Sequence, residues 1–168
     1  SLASFLEEHG IRCSFSRSGL FKTEEGAYLL AALGLTVDPK ASFDATLLSF
    51  LENGGRPDTH ISRCGICSEP EKSGSASVKA VISLAVMKGL MSPSGLVRAI
   101  AEKTPLHELC LRWGNETQRL MNVGRIVTMA EDYEKDSLIA GTGATHHGLY
   151  AYLIAAAKEN DSRESGQG

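Results

Sequence analysis

Apolar residues recur every three or four positions along most of this chain, which is the period of amphipathic helices. One segment differs: Ile11 to Arg17, "IRCSFSR", alternates apolar and polar residues with the period of a half-buried β-strand. The predicted helices cover about 1–9, 23–37, 42–51, 77–88, 93–103, 105–113, 116–137 and 146–159. The pattern therefore predicts a mainly α-helical fold with one short N-terminal strand.

Capping residues stand at several predicted helix starts. Hydroxyl or amide side chains at these positions accept hydrogen bonds from the free amides of a helix's first turn, and proline is favoured as the first helical residue. Glu24 and Glu25 also suit the positive end of the dipole of the helix that follows Thr23. The predicted N-caps are Thr23, Ser92 before Pro93, Thr104 before Pro105, Asn115 with Gln118 as a capping box, and Thr145.

Two segments have the composition of loops or linkers. Residues 53–77 are rich in Gly, Pro, Ser and charge and are predicted to form a long, flexible loop. Residues 159–168 contain no apolar side chain and are predicted to be a linker tail. No internal repeat is present, so the helices are expected to share one main core.

The helix predicted at 116–137 has an apolar stripe that includes Leu120, Val123, Val127 and Ala130. The single tryptophan, Trp113, precedes it and is interpreted as a core anchor. Together with Arg112 it could instead form a surface that stacks on a base or binds phosphate, which leaves a second interpretation open.

Charge and hydropathy exclude some classes of protein. The formal net charge of -3 argues against a module that wraps nucleic acid through bulk positive charge. No apolar run reaches the roughly 20 residues of a membrane span, and the acidic N-terminus differs from a signal peptide, so a soluble intracellular protein without membrane partners is expected. The basic residues Arg12, Arg17 and Lys22 lie close in sequence and, with Arg112, are the candidate DNA contacts.

Four cysteines are present, and a chain of this size with an ordinary core is expected to keep them as reduced thiols. The spacing His60-x3-Cys64-x2-Cys67, followed by His107-x2-Cys110, could supply four zinc ligands, with Cys64, Cys67, His107 and Cys110 as the set. The favoured interpretation is no metal site, with Cys64 and Cys67 in a loop and Cys110 buried as a small apolar residue.

Catalytic motifs are absent from the sequence. It contains no G-x-x-x-x-G-K-[ST] phosphate-binding loop and no G-x-S-x-G nucleophile turn. The glycines of "GTGATHHG" follow a predicted helix instead of a strand, which is the wrong context for dinucleotide binding. His146 and His147 are adjacent, so on a helix they diverge by about 100° and do not readily share an ion. The chain alone is therefore predicted to be inactive and to hold no cofactor.

Three segments nevertheless resemble one family, the UvrD/RecB-like superfamily 1 DNA helicases. "GLFKTEEG" resembles a "GL(F/L)-x-TPE" stretch, and "LRWGNETQRLMNVGRIVTMAEDYE" resembles the pattern "RWG(D/N)-x-x-x-RL-x-N-x-x-x-L-x-x-x-A-x-x-YE" of the exonuclease V beta-like branch. "GTGATHHGLYAYL" is similar to the "G-x-x-x-T-x-x-GFL-x-WL" that follows in the family. The resemblance covers nearly the whole chain in the family's order, although a "GIG"-type turn for duplex contact is represented only by "ENGGRP".

The resemblance implies a fragment of an ATP-dependent helicase or helicase-nuclease of DNA repair and recombination. Residues 1–37 would be the edge of the second RecA-like motor domain, and residues 38–158 a 2B-like orthogonal helical bundle that guides duplex DNA or a partner subunit. ATP and magnesium would bind the missing parts of the parent enzyme, which would act at single-strand/duplex junctions in the bacterial cytoplasm. The alternative is a free-standing helical protein-interaction module, with or without a zinc staple.

Overall fold

Eight α-helices and two 3-10 turns form within the residues that the computed structural model describes, 17–55 and 69–166, with side chains described for 19–55 and 69–159. No strand occurs in these ranges; most of the predicted strand lies outside them, and its last residue, Arg17, begins a helix. The helices are α1 (Arg17–Phe21), α2 (Glu24–Val37), α3 (Ser42–Glu52), α4 (Ala76–Met87), α5 (Pro93–Lys103), α6 (Leu106–Trp113), α7 (Glu116–Ile139) and α8 (His146–Gly166), with 3-10 turns at Pro70–Lys72 and Lys88–Leu90.

Helix α2 is the central helix of the bundle, and helices from every later part of the fold pack against it. Its sequence explains this position, because "GAYLLAALGLT" is apolar or small on every side and offers no polar face to solvent. Thr23 caps α2 as predicted, since its Oγ1 accepts a hydrogen bond of 3.1 Å from the Gly26 amide. The remaining helices bury their apolar stripes around α2.

One hydrophobic core extends from Leu20 on α1 to Ala156 on α8. The mainly α-helical prediction is thus confirmed for the described residues. Helix α2 belongs to this core, although the resemblance assigns it to the edge of a motor domain; that assignment and the 2B-like architecture stay predictions. None of the described helices is long and apolar enough to cross a membrane.

Side chains from other helices accept hydrogen bonds from the backbone amides at the starts of α4 and α5. The Glu52 carboxylate at the end of α3 accepts bonds of 2.9 Å from both the amide and the hydroxyl of Ser77 in the first turn of α4. Glu134 on α7 accepts a bond of 2.6 Å from the Ser94 amide at the start of α5. Because terminal amides lack partners within their own helix, these bonds fix where one helix begins against another.

Residues 53–77, predicted to form one long flexible loop, contain regular structure within their described part. Pro70 is buried in the 3-10 turn, and Ser75 caps α4 with its Oγ 3.3 Å from the Val78 amide. The tail also differs from the prediction, because α8 continues to Gly166 where the composition predicts a linker. A polar sequence at the end of a long helix can continue that helix, since each added residue gains one backbone hydrogen bond.

The predicted cap at Thr104 is wrong, whereas Asn115 is the N-cap residue of α7, as predicted, but lacks the predicted side-chain bond. The Thr104 hydroxyl donates to the Ile100 carbonyl of the preceding helix and does not cap α6, for which Pro105 is the N-cap residue. Asn115 adopts a left-handed conformation, with φ of 56°, and its side chain makes no capping bond. The Thr104 side chain therefore serves the end of the earlier helix, whereas the Asn115 carbonyl accepts a bond of 3.0 Å from the Arg119 amide of α7.

The other three predicted capping residues have different outcomes. Ser92 caps α5, as predicted, since its hydroxyl accepts a bond of 3.1 Å from the Gly95 amide. Gln118, expected to complete a capping box, instead donates to the Asn122 side chain at 3.2 Å. Thr145 does cap α8, as predicted, through a bond of 2.9 Å from the Gly148 amide to its hydroxyl. The start of α8 is therefore fixed by its own sequence.

Candidate functional site

The first and second segments of the resemblance meet in a cluster of polar side chains, called here the Arg119 network. Its members are Glu24 and Glu25 at the start of α2, Trp113 at the end of α6, and Arg119 and Asn122 on α7. Arg119 Nη1 donates to Glu24 Oε2 and to Glu25 Oε2, each at 2.7 Å. Asn122 Nδ2 donates to Glu25 Oε1 at 2.8 Å.

The turn between α6 and α7 shapes the rest of the network. Gly114 and Asn115 both have positive φ, 87° and 56°, which bends the chain sharply enough to face its carbonyls toward α7. Arg119 Nε then donates to the Gly114 carbonyl at 2.6 Å, and its guanidinium lies 5.6 Å from the centre of the Trp113 ring. The "RWGN" stretch therefore serves to hold Arg119 in place.

The network is shielded from solvent. The side chain of Glu25 is 1% exposed and that of Arg119 is 15% exposed. Burial opposes the charge on Arg119, but the hydrogen bonds to Glu24 and Glu25 outweigh it and raise the pKa of the guanidinium. The donors of Arg119 face two carboxylates and two carbonyls, and its guanidinium lies near the Trp113 ring, so the network acts as a structural lock between α2 and α7.

Two of the four candidate DNA contacts, Lys22 and Arg112, have side chains that the structure describes. Arg12 and the side chain of Arg17 lie outside the described part of the structure. Lys22 is exposed just after α1. Arg112 lies on α6, where its Nη1 donates to the Glu52 carbonyl at 3.2 Å and so satisfies the end of α3. Lys22 and Arg112 are therefore the two candidates whose exposure to solvent the structure shows.

The two described members of the alternative zinc set differ in their surroundings. Cys110 is fully buried in the core, and burial raises the pKa of its thiol to about 11, which opposes the thiolate that zinc requires. His107 is exposed, with its Nε2 3.4 Å from Glu116. Cys64 and Cys67 lie outside the described residues, within which no three potential ligands cluster.

Comparison with known proteins found no match to this chain. No protein-family model, no curated protein and no solved structure matches the chain.

Arg119 is not among the functional residues predicted from the sequence, although its position on the apolar face of α7 is a signal. Arg119 falls four residues before Val123 and seven before Ile126, both of which are buried, so it stands on the apolar face of α7. A charge at such a position requires a buried partner. The partner, Glu25, lies 94 positions away in sequence, and no local pattern identifies it.

A second polar cluster lies where α3 and α8 pack against α2. A Cβ atom on Gly34 would lie 2.5 Å from Asp44 Oδ2 and 3.0 Å from the Tyr150 hydroxyl, so glycine is what leaves room for both groups. Burial, helped by the nearby Asp38 carboxylate, raises the pKa of Asp44 to about 6. Burial and the Asp44 charge also raise the pKa of Tyr150.

Asp44→Asn is expected to stabilise the protein at pH 7.5 but not near pH 4.5. A carboxyl whose folded-state pKa lies above its usual 3.8 binds its proton more tightly when folded, so stability falls as pH rises through about 4 to 6. Because Asp44 is only partly buried, the gain at pH 7.5 is on the order of 1 kcal/mol. Urea unfolding of both proteins at pH 4.5, 6 and 7.5 measures it. A gain that is equal at all three pH values would contradict this explanation.

Proposed function

We propose that this chain is a non-catalytic, 2B-like accessory segment of an ATP-dependent DNA helicase or helicase-nuclease, acting in DNA repair or recombination in the bacterial cytoplasm. Its role is to guide duplex DNA or a partner subunit while the motor domains of the parent enzyme bind ATP and magnesium. The chain itself supplies shape and a rigid helical support, and its parent supplies the hydrolase activity.

The observation that carries the proposal is the Arg119 network. Residues from two segments that resemble the family, "KTEEG" and "RWGNETQRLMN", bind each other across 94 to 97 positions of sequence. Glu25, Arg119 and Asn122 are polar positions of the resembling segments, and their pairing supports the resemblance. Their mutual burial gives the resembling residues a shared physical role, which is to hold α6 and α7 onto α2.

The third resembling segment packs onto the second. A Cβ atom on Gly148, from "GTGATHHGLYAYL", would lie 2.0 Å from the Tyr133 hydroxyl, so glycine is required for this approach. The rings of Tyr133 and Tyr152 lie 5.6 Å apart. Tyr133 and Glu134 form the "YE" of the resembling pattern, and Glu134 caps α5. These contacts support a scaffold whose characteristic residues position helices and perform no catalysis.

The decisive test of the parent assignment is the gene sequence on both sides of this segment. The proposal expects a G-x-x-x-x-G-K-[ST] loop upstream and a KGLE-like helicase motif shortly after Gly168. A gene that encodes neither motif would refute the proposal, whatever the isolated chain binds.

The chain is also expected to bind a fluorescent single-strand/duplex junction weakly and to hydrolyse no ATP. Each phosphate contact releases counterions from the DNA, so the affinity should fall as salt is raised from about 50 to 200 mM. Replacing Lys22 and Arg112 together with alanine should reduce the salt slope by roughly two, since each phosphate contact contributes nearly one. Replacing Lys103 and Lys158, which are exposed elsewhere, removes the same charge as a control. An equal loss in both double variants would contradict a local contact.

A further inference from the structure

Five apolar side chains stand exposed in two groups, which are called here the first and second ridges. The first ridge is Val86, Met87 and Leu90, where α4 passes into a 3-10 turn, and the second is Leu138 and Ile139 at the end of α7. Met87 is 44% exposed, and the other four are between 81% and 87% exposed. Such exposure is costly in water, and clustered apolar residues on a surface mark contact sites more often than isolated ones do.

The two ridges lie at the same end of the bundle. Glu134 binds a backbone amide at the start of α5, and Leu138 follows Glu134 by one helical turn on the same face of α7. Leu90 precedes that start of α5 by a few residues, and His146 Nε2 lies 2.9 Å from the Met91 carbonyl, which brings the beginning of α8 to the same place. The ridges and the helix ends between them are called here the apolar end surface.

The apolar area of this surface indicates how strongly it can bind a partner. Five aliphatic side chains at roughly 60–120 Å² each give about 300–600 Å² of apolar area. Standard stable interfaces bury about 800 Å² on each partner, so a contact through this surface is expected to be weak and reversible. A weak contact is compatible with a chain that is folded as a monomer around its own core.

Two features favour a second copy of this chain as the partner. In a two-fold symmetric dimer, a contact between residue i of one copy and residue j of the other forms twice, so two groups on one surface that fit each other are both used twice. The two apolar ridges are such a pair of groups. Lys135 and Asp136, both exposed and of opposite charge beside the second ridge, can pair reciprocally across the same axis.

We propose that the chain forms a weak, two-fold symmetric homodimer through the apolar end surface, with the first ridge of each copy against the second ridge of the other. The proposal goes beyond the proposed function and does not depend on it, because it rests only on exposed side chains and helix ends. DNA binding and the gene sequence test that function separately.

Sedimentation equilibrium of the 168-residue chain tests the dimer directly. Between about 10 and 500 µM the average mass should rise from 17.9 kDa toward twice that value. Leu90→Lys and Ile139→Glu should each weaken association by at least about tenfold, because each places a charge against an aliphatic group. Met121→Glu is the control, since Met121 is an exposed apolar residue near the other end of α7. Circular dichroism checks that every variant is folded.

Mixing the two ridge variants tests the pairing itself. In a mixed dimer, Lys at position 90 of one copy faces Glu at position 139 of the other, while the second pair of ridges keeps its native Leu90 and Ile139 contact. Association should therefore be recovered in the mixture and in neither variant alone. A wild-type chain that stays monomeric throughout would overturn the proposal and leave the surface to a different protein. A dimer that Met121→Glu weakens as much as Leu90→Lys, or a mixture that stays monomeric, would overturn it as well.

Discussion

Arg119→Met is expected to lower the free energy of unfolding by about 3–5 kcal/mol, because it leaves the buried Glu25 without its cation. Methionine retains most of the apolar stem and the contact with the Trp113 ring, so the loss reports mainly on charge and hydrogen bonding. Asn122 would remain as one donor to Glu25, which cannot replace a charged partner. Urea unfolding followed by the fluorescence of Trp113, the single tryptophan, measures the change.

Arg98→Met provides the matched control for this substitution. Arg98 also pairs with a glutamate, Glu131, but the two side chains are 52% and 36% exposed, far more than those of Arg119 and Glu25. Exposed ion pairs contribute at most about 1 kcal/mol, so the control should lose far less stability than Arg119→Met. If the two variants lost similar stability, the Arg119 network would be an ordinary surface ion pair and could not be the lock between α2 and α7.

A second substitution within the network distinguishes two causes of the lost stability. One is the missing ion-pair attraction, and the other is the buried carboxylate that is left without its cation. Adding Glu25→Gln to Arg119→Met removes the buried charge that the single variant leaves unpaired, so part of the lost stability should return. Adding Glu24→Gln instead should return less stability, since the Glu24 side chain is 17% exposed and its charge is partly solvated. Equal recovery in both combinations would mean that the two glutamates are interchangeable.

The helices themselves could be predicted because their signals are local. Pro93 at the first position of α5 and the hydroxyls of Thr23 and Thr145 at two helix starts act within one turn, and the structure confirms all three. Thr104 shows the limit of such reasoning. Its hydroxyl can bond forward to a new helix or back to the Ile100 carbonyl, and the structure has the second choice.

The candidate site could be predicted only as separate pieces. The helix dipole accounts for Glu25 at its position in the chain but does not reveal Arg119, its partner 94 residues away. Likewise, nothing near Asp44 in sequence indicates that Gly34 and Tyr150 close around it. Pairings of this kind depend on how helices pack, and a single sequence carries the helical period but not the packing.

Gly26→Ala is expected to destabilise the protein by about 3 kcal/mol, although alanine is intrinsically the better helix former. A Cβ atom at this position would lie 1.9 Å from the Leu20 carbonyl oxygen and 3.0 Å from the Phe21 Cα. Both contacts are with backbone, which cannot rotate away as a side chain can. The turn joining α1 to α2 would have to move, and the bond from the Thr23 hydroxyl to that same carbonyl would be disturbed.

Gly124→Ala makes the identical chemical change with the opposite expected result. Gly124 lies in the middle of α7 and is exposed, and a Cβ atom added to it would meet no neighbouring atom within 4 Å. Alanine there should stabilise the protein by about 0.5–1 kcal/mol through helix propensity alone. Thermal unfolding of the two variants and the wild type measures whether each substitution raises or lowers the stability. If both substitutions stabilised the protein, α1 would not pack closely on α2. The hydrophobic core would then begin at α2 and would not include α1.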